Sequence, residues 1–148
     1  MELEKLVKID MDVTQEEINF IWERIREFNR ISGPMQKYPQ YESYNILLKD
    51  KDNKIVAGII TKMYLKSMFL EAFWVDQQYR KKGIGRELIK KIENHAKEKE
   101  CKFIHLDTFS FQAIGFYEKL GYTTFGVIED YPDDIKRYYL KKILKDWG

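Results

Sequence analysis

The 148-residue chain contains one cysteine, Cys101, two histidines, His95 and His105, and no run approaching 18 apolar residues. A single thiol excludes an intrachain disulfide and a cysteine-cluster metal site. Two histidines are too few for a typical His-rich metal centre, so no metal is expected. No stretch is long and apolar enough for a membrane helix. Charge of one sign is scarce as well: 26 Lys+Arg against 24 Asp+Glu leave a formal net charge of +2. That balance argues against a general nucleic-acid binder, which carries a stronger basic bias. There is no repeat, low-complexity tract or linker. Residues 1–12 alternate charge with Leu, Val and Ile and lack the apolar core of a secretion signal. The expectation is a soluble, cytoplasmic protein with no membrane or nucleic-acid partner.

Hydrophobic residues make up 44% of the chain and aromatics 15%, which excludes disorder and supplies a core. One domain over residues 1–148 is expected. Residues 3–10 alternate loosely and suit an edge strand. Thr14 and Glu17 have capping-box spacing. Ile18, Ile21, Trp22, Ile25 and Phe28 follow at helical spacing until Gly33-Pro34. Residues 44–48 and 55–64 read as strands joined by a turn at 50–53, a hairpin. Residues 68–75 form a short apolar run with one charge, a buried strand. Ile84, Leu88, Ile89, Ile92 and Ala96 make the apolar stripe of a helix ending near Lys99. Residues 103–107 are a strand. Ala113, Phe116, Tyr117 and Leu120 mark a short helix closed by Gly121. Residues 122–128 and 137–143 are two last strands around a turn at Pro132. This order predicts a mixed α/β domain around one central sheet.

Between the buried strand and the long helix lies Arg80-Lys81-Lys82-Gly83-Ile84-Gly85-Arg86. A helix start offers unpaired backbone N–H groups and the positive end of the helix dipole. Glycines allow close backbone approach, and together these features suit a phosphate. The dipole contributes about 0.3–1 kcal/mol, and the four basic side chains add charge attraction. The turn is neither a Gly-Lys-Ser/Thr phosphate loop nor a three-glycine dinucleotide fingerprint. On spacing alone, a solvated basic turn stands as an equal reading. Lys90, Lys91, Lys97 and Lys99 read as a solvated helix face.

Residues 70–85, LEAFWVDQQYRKKGIG, resemble the acetyl-CoA motif of the GNAT superfamily of acyl-CoA-dependent N-acetyltransferases. The core of that pattern is Arg80, Gly83 and Gly85. Residues 113–122, AIGFYEKLGY, resemble the family's other cofactor-side motif. The two occur in the family's order, about 30 residues apart, on matching elements, and the likeness covers roughly residues 44–144. There are two departures. Gln77 stands where the family often has Pro, and Ser110 stands where many members have an Asn that helps hold the cofactor.

The resemblance implies a single-domain, mostly antiparallel central sheet flanked by helices, with strands four and five splayed. Acetyl-CoA would be the acyl donor, with its pantetheine arm between those strands. That arm would bond around Phe73, Trp74 and Val75. The pyrophosphate would meet residues 80–86: Arg80, Lys81, Lys82, Gly83, Ile84, Gly85 and Arg86. Phe116 and Ser110 complete the expected cofactor set. Members of the family often pair through sheet edges, so a homodimer is one expectation.

Acetylating an amine requires the amine to be neutral. For a lysine-like amine at pH 7 that costs about 4–5 kcal/mol, which a general base would offset. Glu71 is the one charge in residues 68–75, and alternation puts it on a face with Phe69, Phe73 and Val75. Some family members place a proposed catalytic Glu four residues before the position of Val75, which is Glu71 here. A rim or salt-bridged carboxylate is the other reading. Tyr117 stands where the family's second motif often has a Tyr near the thioester sulfur, and would be the acid; its apolar stripe also suits plain core. Cys101 reads as a buried structural thiol. His105 and Asp107 alternate on their strand, facing either the substrate cleft or an ordinary sheet position. Thr108 and Ser110 would bind cofactor or cap the next helix.

Glu129, Asp130, Asp133 and Asp134 surround Pro132 in a region that in this family often borders the acceptor. An acidic rim would attract a cationic amine; a solvated turn is the alternative. Asp130, Tyr131 and Tyr138, with Tyr139, are the acceptor-side candidates. The function expected is N-acetyl transfer from acetyl-CoA to a primary amine of a small molecule or peptide, by direct attack in a ternary complex. The alternative is a non-catalytic acyl-CoA-binding sensor, which would need neither Glu71 nor Tyr117.

Overall fold

The computed structural model describes residues 2–38 and 41–144. The chain divides into two compact units, Met1–Lys37 and Tyr38–Gly148. In the first, helix α1 spans Gln15–Ile31. The Thr14 hydroxyl accepts from the Glu17 N–H at 3.2 Å, and the Glu17 carboxylate accepts from the Thr14 N–H at 2.9 Å. Such a reciprocal cap satisfies two orphan donors and contributes about 1 kcal/mol. The helix stops one residue before Ser32, ahead of Gly33-Pro34.

Residues 3–10, expected as an edge strand, are not one. Leu3–Lys5 is a 3-10 turn in which the N–H groups of Leu6 and Val7 both bond to the Leu3 carbonyl, at 2.9 and 3.1 Å. Leu3, Leu6 and Val7 lie at i, i+3 and i+4, the spacing of a helical turn rather than of a strand.

The second unit holds strands β1 (Glu42–Lys49), β2 (Ile55–Tyr64), β3 (Ser67–Val75), β4 (Phe103–Phe109), β5 (Thr123–Ile128) and β6 (Arg137–Ile143). Helices α2 (Ile84–Glu98) and α3 (Ile114–Lys119) complete it. The sheet order is β1-β2-β3-β4-β6-β5, antiparallel except for the β3–β4 pair. One face carries Ala57, Ile59, Met63, Met68, Leu70, Ile104, Leu106 and Leu140, all buried against Leu88, Ile89, Ile92 and Ala96 of α2. Full burial of one such aliphatic side chain contributes about 1.5–3 kcal/mol. Cys101 is buried beside this core, and burial pushes its thiol pKa up, as suits a structural thiol.

The expected splay is between β3 and β4. They pair only at Ser67 to Phe69 with Phe103 to His105. Beyond that fork residues 70–75 face β2 alone and residues 106–109 face β6 alone. A bulge falls just past the fork. Ile60 pairs with Ala72 and Thr61 with Leu70, which leaves Glu71 opposite nothing. An extra residue of this kind turns the strand and resets its alternation.

Candidate functional site

The splay opens a cavity of about 830 Å³ between the end of β3, the start of α2 and the start of α3. Phe73, Trp74 and Val75 form one wall, residues 80–86 the base, and Phe116 and Tyr117 the far wall.

The base is built by unusual backbone. Lys81 has φ 62° and Gly83 has φ 82°, so the chain turns sharply just before α2. Gly83 is the N-cap and has no side chain to satisfy the helix's first donors. The first bond of α2 runs from the Glu87 N–H to the Gly83 carbonyl, at 3.1 Å. Among the described residues no group accepts from the N–H of residues 81–86; the Arg80 N–H bonds to Gln77, at 3.3 Å. These donors sit at the positive end of the α2 dipole, the arrangement that binds an anion. Arg80 does not swing free: its Nε donates to the Val75 carbonyl at 2.9 Å, tying the basic turn to the end of β3. The Gln77 departure is harmless, because Gln77–Tyr79 forms a 3-10 turn without a proline and Asp76 caps it.

Gly85 allows the walls to close. A Cβ there would lie 3.2 Å from Cζ of Phe73 and 3.3 Å from Cζ of Phe116. Both rings line the cavity, so they would be pushed into it. Gly85→Ala is therefore expected to weaken acetyl-CoA binding by roughly 10-fold, about 1.4 kcal/mol of overpacking, read by calorimetry. An unchanged affinity would mean that the rings relax without entering the cavity.

Tyr117 is 8% exposed, and burial pushes its phenol pKa up to about 12. Its ring is edge-on to Phe116 and to Tyr122, with centroids 5.3 and 5.9 Å away. It is both core and cavity wall. The phenol is protonated at neutral pH and, among the described residues, its hydroxyl has no hydrogen-bond partner.

Glu71 is elsewhere than alternation placed it. The bulge keeps it on the face of Phe69 and Lys62, while Phe73 and Val75 point to the cavity side. Its carboxylate pairs with Lys62 at 3.0 Å, and its side chain is 29% exposed. It does not line the cavity; it lies beyond the fork, on the sheet face opposite the α2 core.

Ser110 is not brought to the cavity either. Its N–H donates to the Lys136 carbonyl at 2.8 Å, and its hydroxyl accepts from the Lys136 N–H at 3.0 Å. The cap of this loop is Gln112, whose side-chain oxygen accepts from the Phe109 N–H at 2.7 Å and from the Thr108 hydroxyl at 3.2 Å. Phe111, Gln112 and Ala113 line the cavity with Tyr79 and Glu87, none of them read from the sequence as site residues. The exposed Phe between two polar residues was the available signal for Phe111.

Tyr131, Tyr138 and Tyr139 do not share one cleft. Tyr138 packs toward the α2 core beside Leu140. Tyr139 is on the other face, with Arg137, and Tyr131 meets Phe109 edge-on. Asp130 is exposed in the hairpin. On that face Asp107 is bound to Arg137 at 2.7 Å. His105 lies between the rings of Phe69 and Phe103, where burial lowers its pKa against the pull of Asp107. No group of three or more metal-ligating side chains is placed to hold an ion among the described residues, and none of their helices is long and apolar enough to cross a membrane.

A splayed, mostly antiparallel sheet with an amide-lined basic turn at the open end of the splay defines an α/β protein with a candidate anion site. The acetyltransferase (GNAT) family matches residues 12–122, more than half of the chain and across both units, and the chain belongs to that family. It is 30% identical to blasticidin-S acetyltransferase of Streptomyces morookaense over 75% of this chain and 82% of that protein. An acetyltransferase structure from Bacillus cereus ATCC 14579 superposes with TM-score 0.78 at 34% identity, covering 92% of this chain and 97% of that one. An acetyltransferase of Bacillus anthracis str. Ames, solved in complex with acetyl coenzyme A, superposes with TM-score 0.59 at 28% identity, covering 72% of this chain and 64% of that one. The protein is an acetyltransferase of the GNAT superfamily.

Proposed function

We propose that the chain, acting as one catalytic domain over residues 1–148, transfers the acetyl group of acetyl-CoA to a primary amine by direct attack in a ternary complex. The observation that carries this reading is the row of amides at residues 81–86, without acceptors among the described residues, at the base of the splay cavity. They suit a diphosphate, with Arg80, Lys81, Lys82 and Arg86 adding positive charge. Phe73, Trp74, Val75 and Phe116 offer an apolar path for the pantetheine arm toward Tyr117.

Acetyl-CoA bound there supplies a thioester carbonyl at the fork. Glu71, held by Lys62 on the opposite face, takes the ammonium proton of the incoming amine, directly or through water. The amine nitrogen then bonds to the carbonyl carbon and the carbon–sulfur bond breaks. Tyr117 gives its proton to the departing sulfur, and the second amine proton, released as the amide forms, returns through solvent to restore the phenol. The acidic residues of the β5–β6 turn, among them Asp130, favour a cationic acceptor by long-range attraction. Lys136 offsets only part of that field, through a 3.8 Å contact with Glu129.

Glu71→Gln tests the base. It keeps the side chain's size and removes its proton affinity. The expected result is a fall in kcat of roughly 10²-fold, with loss of the acidic limb of the pH–rate profile and unaltered acetyl-CoA binding by calorimetry. A profile identical to that of the unsubstituted protein would remove Glu71 from the mechanism. Tight binding of CoA with no amine ever acetylated would favour the sensor reading instead.

A further inference from the structure

Phe111 is 69% exposed, although it is a large apolar ring at the mouth of the donor cavity. The exposure does not come from a loose loop. Ser110 is clamped to Lys136 by two hydrogen bonds, and Gln112 is clamped to Thr108 and Phe109 by two more. Phe111 is held between these two anchored residues.

One face of its ring is already used. Phe111 stacks on Phe109 with centroids 5.4 Å apart and planes 6° from parallel. Phe109 in turn meets Tyr131 edge-on at 5.4 Å. The Arg137 guanidinium lies 5.4 Å from the Phe109 centroid, and Asp107 fixes it with bonds of 2.7 and 3.0 Å. Asp107 neutralises that cation, so it acts as a flat backing rather than as a barrier to another cation. The result is a rigid aromatic surface. It runs from the cavity that holds Tyr117, across Phe111 and Phe109, to Tyr131 and the acidic turn containing Asp130, Asp133 and Asp134.

Stacked rings gain from a further ring placed parallel to the open face. A ring already ordered loses little freedom when it binds. We infer that the open face of Phe111 is the platform for the acceptor, and that the preferred acceptors are cationic primary amines carrying a flat aromatic or heteroaromatic ring. The inference rests on the acetyl-transfer reading and names its substrate class. The ring of the acceptor stacks on Phe111, its amine reaches the thioester, and the carboxylates of the β5–β6 turn concentrate the cation nearby. Bond changes are those of the transfer itself: nitrogen–carbon forms, carbon–sulfur breaks, and one amine proton is released for the thiol that leaves.

The test uses the full chain, acetyl-CoA, and two singly charged amines, tryptamine and n-hexylamine, with thiol release and product mass as readouts. The expected kcat/KM ratio favours tryptamine by roughly 3–10-fold, the size of one ring-stacking contact. Phe111→Ala is expected to abolish that ratio by slowing tryptamine more than n-hexylamine, while Phe111→Trp retains it. Equal use of both amines, or a ratio that survives Phe111→Ala, overturns the inference and leaves acetyl transfer standing. No thiol release with either amine overturns the inference, and acetyl transfer falls with it only if no amine of a wider panel is acetylated. A control with S-acetylpantetheine, which lacks the adenine nucleotide, identifies a different occupant. If Phe111→Ala raises the KM for acetyl-CoA but not for S-acetylpantetheine, the platform carries the donor's adenine and the inference is overturned.

Discussion

Tyr117→Phe is expected to lower kcat by roughly 10²-fold or more, the lower end of what a positioned proton donor contributes, with little change in the KM for acetyl-CoA. The reason is geometric. The ring is fixed edge-on between Phe116 and Tyr122, so deleting one oxygen leaves the packing and the cavity wall intact. Only the proton is lost. With the phenol pKa raised by burial to about 12, the group is a donor throughout the neutral range. The same shift has a stability consequence. An unfolded tyrosine ionises near pH 10, so burial of the neutral phenol contributes fully below that pH. The contribution is lost as pH rises from about 10 to about 12, by roughly 2–3 kcal/mol. Tyr117→Phe should therefore be the slower enzyme at pH 7 and lose less stability above pH 10. Steady-state kinetics and alkaline melts check the two halves separately. An unchanged turnover would assign Tyr117 to the core alone.

The largest effect on stability is expected at Glu93. This carboxylate is the one buried charged residue among the described residues, on the inner face of α2. It accepts from the Tyr122 hydroxyl at 2.9 Å and from the Lys142 ammonium at 3.1 and 3.2 Å. The Lys142 ammonium also lies 5.7 Å from the centroid of the Tyr122 ring. The phenol pKa of Tyr122 is pushed far above its usual range, first by burial and then by the adjacent carboxylate. Helix α2, the α3–β5 connection and strand β6 meet at one carboxylate. Glu93→Ala strands a phenol and an ammonium in a mostly apolar place. Removing one member of such a buried group costs about 3–5 kcal/mol. Lys142 is 29% exposed and regains some water, so the lower end is expected. At about 3 kcal/mol, the Tm of a domain this size falls by roughly 6–12 °C. Tyr122→Phe deletes only the hydrogen bond to a charged group and should cost about 1.5–3 kcal/mol. A Glu93→Ala melt within 2 °C of the unsubstituted protein would show that the cluster contributes nothing net.

Most of the architecture was legible because local signals agreed with one another. The apolar stripe starting at Ile84 predicted α2 to within one residue of its observed end at Glu98. The runs at 55–64 and 137–143 match β2 and β6 residue for residue. The one misplaced element, residues 3–10, alternates too loosely to hold a strand, and the turn spacing of Leu3, Leu6 and Val7 prevails. The motif residues Arg80, Gly83, Gly85, Phe116 and Tyr117 could be placed by pattern, since glycine dihedrals and a helix start are local properties.

Glu71, Ser110 and Tyr138 were not legible in this way. Period-two alternation assigns faces only while register holds, and the bulge between Leu70 and Ala72 breaks it. The partner of Glu71 is Lys62, and that of Ser110 is Lys136, a residue from the far side of the β5–β6 turn.

By itself the sequence determined the family, the element order and a basic glycine turn at a helix start, because these depend on neighbours within a few positions. Only the tertiary structure decided where the sheet parts, which amides remain without acceptors, and which aromatic rings stack at the cavity mouth. Those depend on strand register and on side chains that meet across dozens of residues, distances over which no local pattern carries information.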